Sequence, residues 1–138
     1  MKKQILFLCT HNSCRSQMAE ALANHFLSDT CRAFSAGAEA TRVNPRAARV
    51  LAELGIDTTF LRSKTIDEFA GQAFDHVVTL CGDANEKCPL FFGGVKRIHH
   101  GFEDPSRLSG SDEDVLPEFR RVRDEIKIWI IEHFGGSP

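Results

Sequence analysis

The sequence predicts an α/β fold, a three-layer α/β/α sandwich built around a four-stranded parallel sheet. Three observations carry this expectation. Short apolar runs alternate with amphipathic stretches along the whole chain, as parallel strands with crossover helices do. The chain has 138 residues, enough for one domain with its own core and too few for two ordinary ones. No repeat, low-complexity tract or linker interrupts it, so one domain is expected over residues 1–138.

Each element has its own local reason. Gln4 to Leu8 is a brief apolar run that stops abruptly in polar residues, as a buried strand does. Met18, Leu22 and Phe26 then recur at i+4 with Ala19 and Ala23 beside them, which predicts a helix from Arg15 onward. Arg32 to Ala36 is a second strand, closed by Gly37. Asn44-Pro45 is an N-cap followed by a first helical position, Ala47, Val50, Leu51 and Leu54 supply the buried face, and Gly55 marks the stop. Thr65 with Glu68 three residues on is a capping-box signal for a short helix carrying Ile66 and Phe69. Asp75 to Leu80 and Val95 to His99 are the third and fourth strands. In the last helix Val115 or Leu116, Phe119, Val122, Ile126, Trp129 and Ile130 form one stripe, with Arg120, Arg121, Arg123, Asp124 and Lys127 on the other faces.

Composition excludes several functions. A net charge of −2 gives no long-range pull toward nucleic acid or an anionic membrane. No apolar run approaches the ~18 residues of a spanning helix. Met1-Lys2-Lys3 followed by Ile5 to Cys9 briefly resembles a signal peptide, but the run ends at Thr10-His11-Asn12, so a cytoplasmic protein is expected. Five cysteines stand at 9, 14, 31, 81 and 88. An odd count without an export signal points to reduced thiols used for chemistry or metal. Neither the Cys9/Cys14 nor the Cys81/Cys88 spacing is that of a zinc knuckle, so no metal site is expected.

The chemistry concentrates where the first strand gives way to the first helix. In parallel sheets ligands bind beyond the carboxyl ends of the strands. Cys9 follows the first strand and Cys81 the third, which brings two distant thiols to one edge. The stretch Thr10, His11, Asn12, Ser13, Cys14 and Arg15 turns successive backbone N–H groups inward at a helix N-terminus, a cradle for a tetrahedral oxyanion. Arg15 closes the loop with a planar donor pair. The same field favours a thiolate at Cys9, and Ser16 is placed to donate to it. Asn12 tolerates the left-handed turn such a loop requires. Cys14 contributes its backbone N–H and packing, and Cys31 packing alone. Asp104 precedes Pro105, which restricts its backbone. His99 and His100 are read as a strand end and loop start.

Cys9-x5-Arg15-Ser16 directly after a strand resembles the phosphate loop of the low-molecular-weight protein tyrosine phosphatases. Nearly the whole chain is similar to their redox relatives, the thioredoxin-coupled arsenate reductases. The matching stretches are Cys9 to Glu20 (CTHNSCRSQMAE), Ser35-Ala36-Gly37, Val43-Asn44-Pro45, Val77 to Pro89 (VVTLCGDANEKCP), Gly101 to Pro105 (GFEDP) and Phe119 to Lys127 (FRRVRDEIK). The resemblance implies a low-molecular-weight-phosphatase-like fold and a relay of three thiols. Cys9 would attack arsenate held by the loop and Arg15, and Asp104 rather than Glu103 would protonate the departing hydroxyl. Cys81 would then displace arsenite from Cys9, and Cys88 would move the disulfide to Cys81–Cys88 for reduction by thioredoxin, with glutaredoxin and glutathione as the alternative donor. A monomer is expected. A tyrosine phosphatase needs only Cys9, Arg15 and Asp104, but those enzymes place tyrosines beside the Asp-Pro element and this chain has no tyrosine. A non-enzymatic oxyanion-binding module would leave the extra cysteines without a purpose.

Three departures from the family pattern stand out. His11 replaces a glycine at the loop mouth. His100 replaces a tryptophan before Gly101-Phe102. Relatives that bind potassium behind the loop use Asn, Glu, Ser and Asp; here Asn12, Glu20 and Ser35 match but Lys64 takes the aspartate's position. An ammonium there repels potassium and can stand in its place, so no cofactor is expected.

Overall fold

The computed structural model describes residues 2–82, 91 and 93–135. Four parallel strands, β1 (Lys3–Cys9), β2 (Cys31–Gly37), β3 (Phe74–Thr79) and β4 (Gly94–His99), form one sheet in the order β2-β1-β3-β4. Ile5 in β1 pairs with Ala33 on one side and His76 on the other, so β1 is central and its C-terminal end emerges between two neighbours. Among the described residues three helices, α1 (Arg15–Phe26), α2 (Pro45–Ala52) and α3 (Asp112–Phe134), and two 3-10 turns, Ile66–Phe69 and Pro105–Arg107, accompany the sheet.

The alternation within β1 divides the core. Ile5 and Phe7 join one cluster with Met18 and Leu22 of α1, Val50 and Leu51 of α2, and Phe119, Val122 and Ile126 of α3. Leu6 and Leu8 face the opposite side with Phe69, Phe74 and Val77. There Phe34, Phe69 and Phe74 meet edge to face at 5.5–5.9 Å between ring centres, the arrangement aromatic quadrupoles favour. β1 is thus covered on both faces, which is why it reads as a continuous apolar run.

Three details depart from the sequence reading. Phe26 does not complete the α1 stripe; it is exposed, with the Lys127 ammonium 4.5 Å from its ring centre. Thr65 makes no side-chain cap, because the Glu68 carboxylate pairs in bidentate fashion with Arg62 at 2.6 and 2.9 Å; the segment is a single 3-10 turn. Arg123 is buried, its guanidinium donating to the Val50 carbonyl and to Glu53, both at 2.9 Å, so it locks α3 to the end of α2. Cys88 and the polar stretch before it lie outside the described residues.

Candidate active site

The loop between β1 and α1 turns at Asn12, whose φ of 48° is the left-handed conformation expected of it. The loop rests on the end of β2. A Cβ on Gly37 would lie 2.7 Å from the Asn12 nitrogen and 2.8 Å from the Thr10 carbonyl oxygen, so only glycine admits this approach. The Glu39 N–H secures the same carbonyl at 3.0 Å.

Inside the loop the backbone fixes the orientation of the Asn12 amide. The Lys64 N–H, a donor that cannot reverse, meets Asn12 Oδ1 at 2.8 Å, and Gln17 Nε2 meets the same oxygen at 2.9 Å. The Asn12 amide nitrogen must therefore face Ser16 Oγ, to which it donates at 2.8 Å. Ser16 Oγ in turn lies 2.8 Å from Cys9 Sγ, a hydrogen bond in which either atom can donate and in which a thiolate at Cys9 would receive the hydroxyl proton. Cys9 is itself buried beside this hydroxyl. Cys14, three-quarters of the way round the loop, differs: burial pushes its thiol pKa well up, and Asp104 and Cys9 push it further than Arg15 pulls it back. It remains a protonated packing group.

Arg15 is 2% exposed. Its Nη1 donates to the carbonyls of Leu80 at 3.3 Å and Phe102 at 3.2 Å, and its Nη2 lies 3.6 Å from Asp104 Oδ2. One guanidinium therefore joins the loop to the segment entering Cys81 and the segment entering Asp104. The other Asp104 oxygen, Oδ1, accepts from the Ser106 N–H at 3.0 Å and the Ser106 hydroxyl at 2.5 Å. Glu103 is turned out to solvent and pairs with Arg121 at 2.9 Å.

Cys81 is buried just past β3. The ladder continues beyond the strand, the Leu80 N–H donating to the Leu8 carbonyl at 2.9 Å. Extending the register sets Leu80 beside Cys9 and Cys81 beside Thr10, on strands about 4.8 Å apart. The backbone at Cys81–Gly82 lies so close to Gly101–Phe102 that a Cβ on Gly82 would stand 2.6 Å from the Phe102 carbonyl oxygen. A single cleft is lined by Cys9, His11, Ser13, Cys14, Arg15, Asp104 and Ser106. His11 stands at its mouth, half exposed, with Nε2 3.5 Å from a Glu39 carboxylate oxygen.

Behind the loop, Lys64 Nζ donates to the Arg62 carbonyl at 2.7 Å and lies 3.6 Å from Glu20 Oε1, which also accepts from the Ser35 hydroxyl at 2.7 Å. Burial lowers the Lys64 pKa and the Glu20 carboxylate opposes that shift. Among the described residues no group of three or more His, Cys, Asp or Glu side chains could hold a metal ion. His99 bonds Thr79 Oγ1 at 2.7 Å through Nδ1, and His100 lies against Phe102 and Trp129. Sequence reasoning missed Gln17. Its fully buried amide ties Asn12 to the Arg62 carbonyl at 2.8 Å. Its signal was a glutamine at the third position of α1, where such side chains reach back over the helix entry.

Residues 4–133 match the family model described as low molecular weight phosphotyrosine protein phosphatase. An arsenate reductase of Halalkalibacterium halodurans is 50% identical over 125 residues, covering 91% of this chain and 90% of the relative. The fold superposes on a solved arsenate reductase in its phosphate-binding state with a TM-score of 0.82 at 32% identity, covering 98% of both chains. It also superposes on a thioredoxin-dependent arsenate reductase of Corynebacterium glutamicum with a TM-score of 0.61 at 28% identity, over 93% of this chain and 63% of that one. No helix among the described residues is long and apolar enough to cross a membrane.

Proposed function

The chain belongs to the low molecular weight phosphotyrosine protein phosphatase family, and we propose that it uses this fold to reduce arsenate to arsenite by a three-thiol relay. The observation that carries the reading is the pairing of two buried thiols at one sheet edge. Cys9 sits in the loop with Ser16 Oγ 2.8 Å from its sulfur, and Cys81 lies just past the end of the neighbouring strand. Hydrolysis of a phosphate ester needs only the first. A two-electron reduction needs both.

Arsenate has the shape and charge of phosphate and occupies the N–H cradle of Thr10 to Cys14 with Arg15 across two of its oxygens. The Cys9 thiolate forms an S–As bond while an As–OH bond breaks, and the hydroxyl leaves as water with the proton of Asp104. The Cys81 thiolate then attacks the Cys9 sulfur. An S–S bond forms, the S–As electron pair stays on arsenic, and As(V) becomes As(III). Cys88 attacks Cys81 and takes the disulfide outward, where thioredoxin reduces it; glutaredoxin with glutathione is the competing donor. We assign the reaction to a cytoplasmic monomer.

Potassium has no part in this reading. The ammonium of Lys64 lies beside Glu20 and the carbonyl of Arg62, the oxygens a cation would seek, and Ser35 spends its proton on Glu20. These residues do not fit a potassium ion.

The test is arsenate-dependent NADPH oxidation with thioredoxin and thioredoxin reductase, run beside glutathione and glutaredoxin. Sustained turnover is expected with thioredoxin. Binding of arsenate without oxidation of any thiol would overturn the reading in favour of an oxyanion-binding module.

A further inference from the structure

Asp104 has two oxygens, and their surroundings differ. Oδ2 lies 3.6 Å from Arg15 Nη2, whereas Oδ1 accepts two hydrogen bonds from one residue, Ser106. One of those donors is a backbone N–H, which has no lone pair to offer an acid proton. Protonating Oδ1 would set one donor against another, which leaves Oδ2 as the oxygen that can carry a proton. The hydroxyl of Ser106, 2.5 Å from Oδ1, adds a second hold on the plane of the carboxyl group. It lines the same cleft as Cys9 and Arg15.

We propose that Ser106 is a positioning residue for the reaction: its hydroxyl holds Asp104 so that the proton-bearing oxygen points at the hydroxyl leaving arsenic. The proposal rests on the assignment of Asp104 as the acid. Arg15 explains why a hold is needed. A carboxylate freed at Oδ1 can rotate toward the guanidinium, shortening a 3.6 Å contact into a full ion pair and aiming the acid at Arg15 instead of at the substrate. The 3-10 turn Pro105–Arg107 supplies the frame, since Pro105 fixes φ and delivers the Ser106 N–H to the Asp104 side chain. In the step itself one S–As bond forms, one As–O bond breaks, and the proton travels from Oδ2 into the departing water. Ser106 exchanges no atom with the substrate.

The experiment is single-turnover kinetics of the full chain with arsenate, reading arsenite released against time. Wild type is compared with Ser106→Ala, Ser106→Thr, Asp104→Ala and the Asp104→Ala/Ser106→Ala pair. Ser106→Ala retains the backbone N–H, so its maximal rate should fall by about five- to tenfold, the scale of one lost hydrogen bond. The half-saturating arsenate concentration should not move, because the loop and Arg15 are untouched. Ser106→Thr keeps the hydroxyl and should restore the rate. In the Asp104→Ala background the serine change should add nothing, since the residue acts through the carboxyl group. Additive losses in the double variant, or a wild-type rate in Ser106→Ala, overturn the proposal alone. A wild-type rate in Asp104→Ala overturns the acid assignment and the proposal with it.

Discussion

Asn12 is linked to Cys9 through Ser16. Its side chain accepts from the Lys64 N–H and donates to Ser16 Oγ, which lies 2.8 Å from the Cys9 sulfur. Asn12→Ala should therefore slow single-turnover arsenate reduction by about tenfold, with a stability loss of about 1–2 kcal/mol from the left-handed backbone. An unchanged rate with a lowered melting temperature would show that the chain of donors does not reach the thiol. Lys64 supports a second prediction. Exchanging potassium for sodium at equal ionic strength should leave the melting temperature of the wild type unchanged, because an ammonium already neutralises Glu20. Lys64→Asp should acquire a potassium-dependent rise. At this scale the sequence showed Cys9, Asn12, Arg15 and Ser16 plainly, since a strand, a short polar loop and a helix start leave few ways to arrange them. Gln17 and Arg123 were hidden for one reason: a polar residue on an amphipathic helix reads as solvent-facing, and only tertiary contact shows which one is buried.

The elements around the cleft are held by close backbone approach as much as by side chains. Gly37 lets the loop sit on β2, and Gly82 and Gly101 let the end of β3 lie against the strand that leads to Asp104. Oxyanion binding should report this seating. Phosphate, sulfate or arsenate at a hundred times its dissociation constant should stabilise the fold by about 2.7 kcal/mol, and Arg15→Ala should lose that shift. Gly37→Ala should lose it too, at a further cost of about 1–3 kcal/mol from overpacking. Gly55→Ala is the control, because its φ of +80° is strained but no atom lies within 4 Å; it should be destabilised yet keep the full oxyanion shift. Thermal denaturation with and without phosphate separates these cases, and a normal shift in Gly37→Ala would mean that the loop does not depend on β2. The strands β1, β2 and β3 and the helices α1 and α3 were legible because burial sets their apolar pattern. The capping box at Thr65 was not, because its glutamate had a stronger partner in Arg62, four residues upstream of the 3-10 turn.

On the scale of the whole molecule, the sheet order decides what chemistry is possible. Placing β1 between β2 and β3 sets the strand that ends in Cys9 beside the strand that leads to Cys81, and Arg15 bridges their ends through the Leu80 carbonyl. Cys9 and Cys81 are buried, at 3% and 4% exposure, so on the proposed relay a protein reductant would lack an in-line path to a disulfide between them. Exchange requires the attacking thiolate to reach the sulfur it displaces. In the proposed relay Cys88 is the third thiol that carries the oxidation away. The three cysteines should then fail in three different ways. Cys9→Ser forms no arsenic adduct and reduces nothing. Cys81→Ser accumulates the adduct on Cys9, since no second thiol is present to take over the sulfur. Cys88→Ser releases one arsenite and stops as the Cys9–Cys81 disulfide. Mass spectrometry of the intact chain after one equivalent of arsenate distinguishes the unmodified protein, the adduct and the two-proton loss of a disulfide, and peptide mapping locates the bond. Sustained thioredoxin-linked turnover by Cys88→Ser would mean that the reductant does reach the buried pair, and the relay would shrink from three thiols to two.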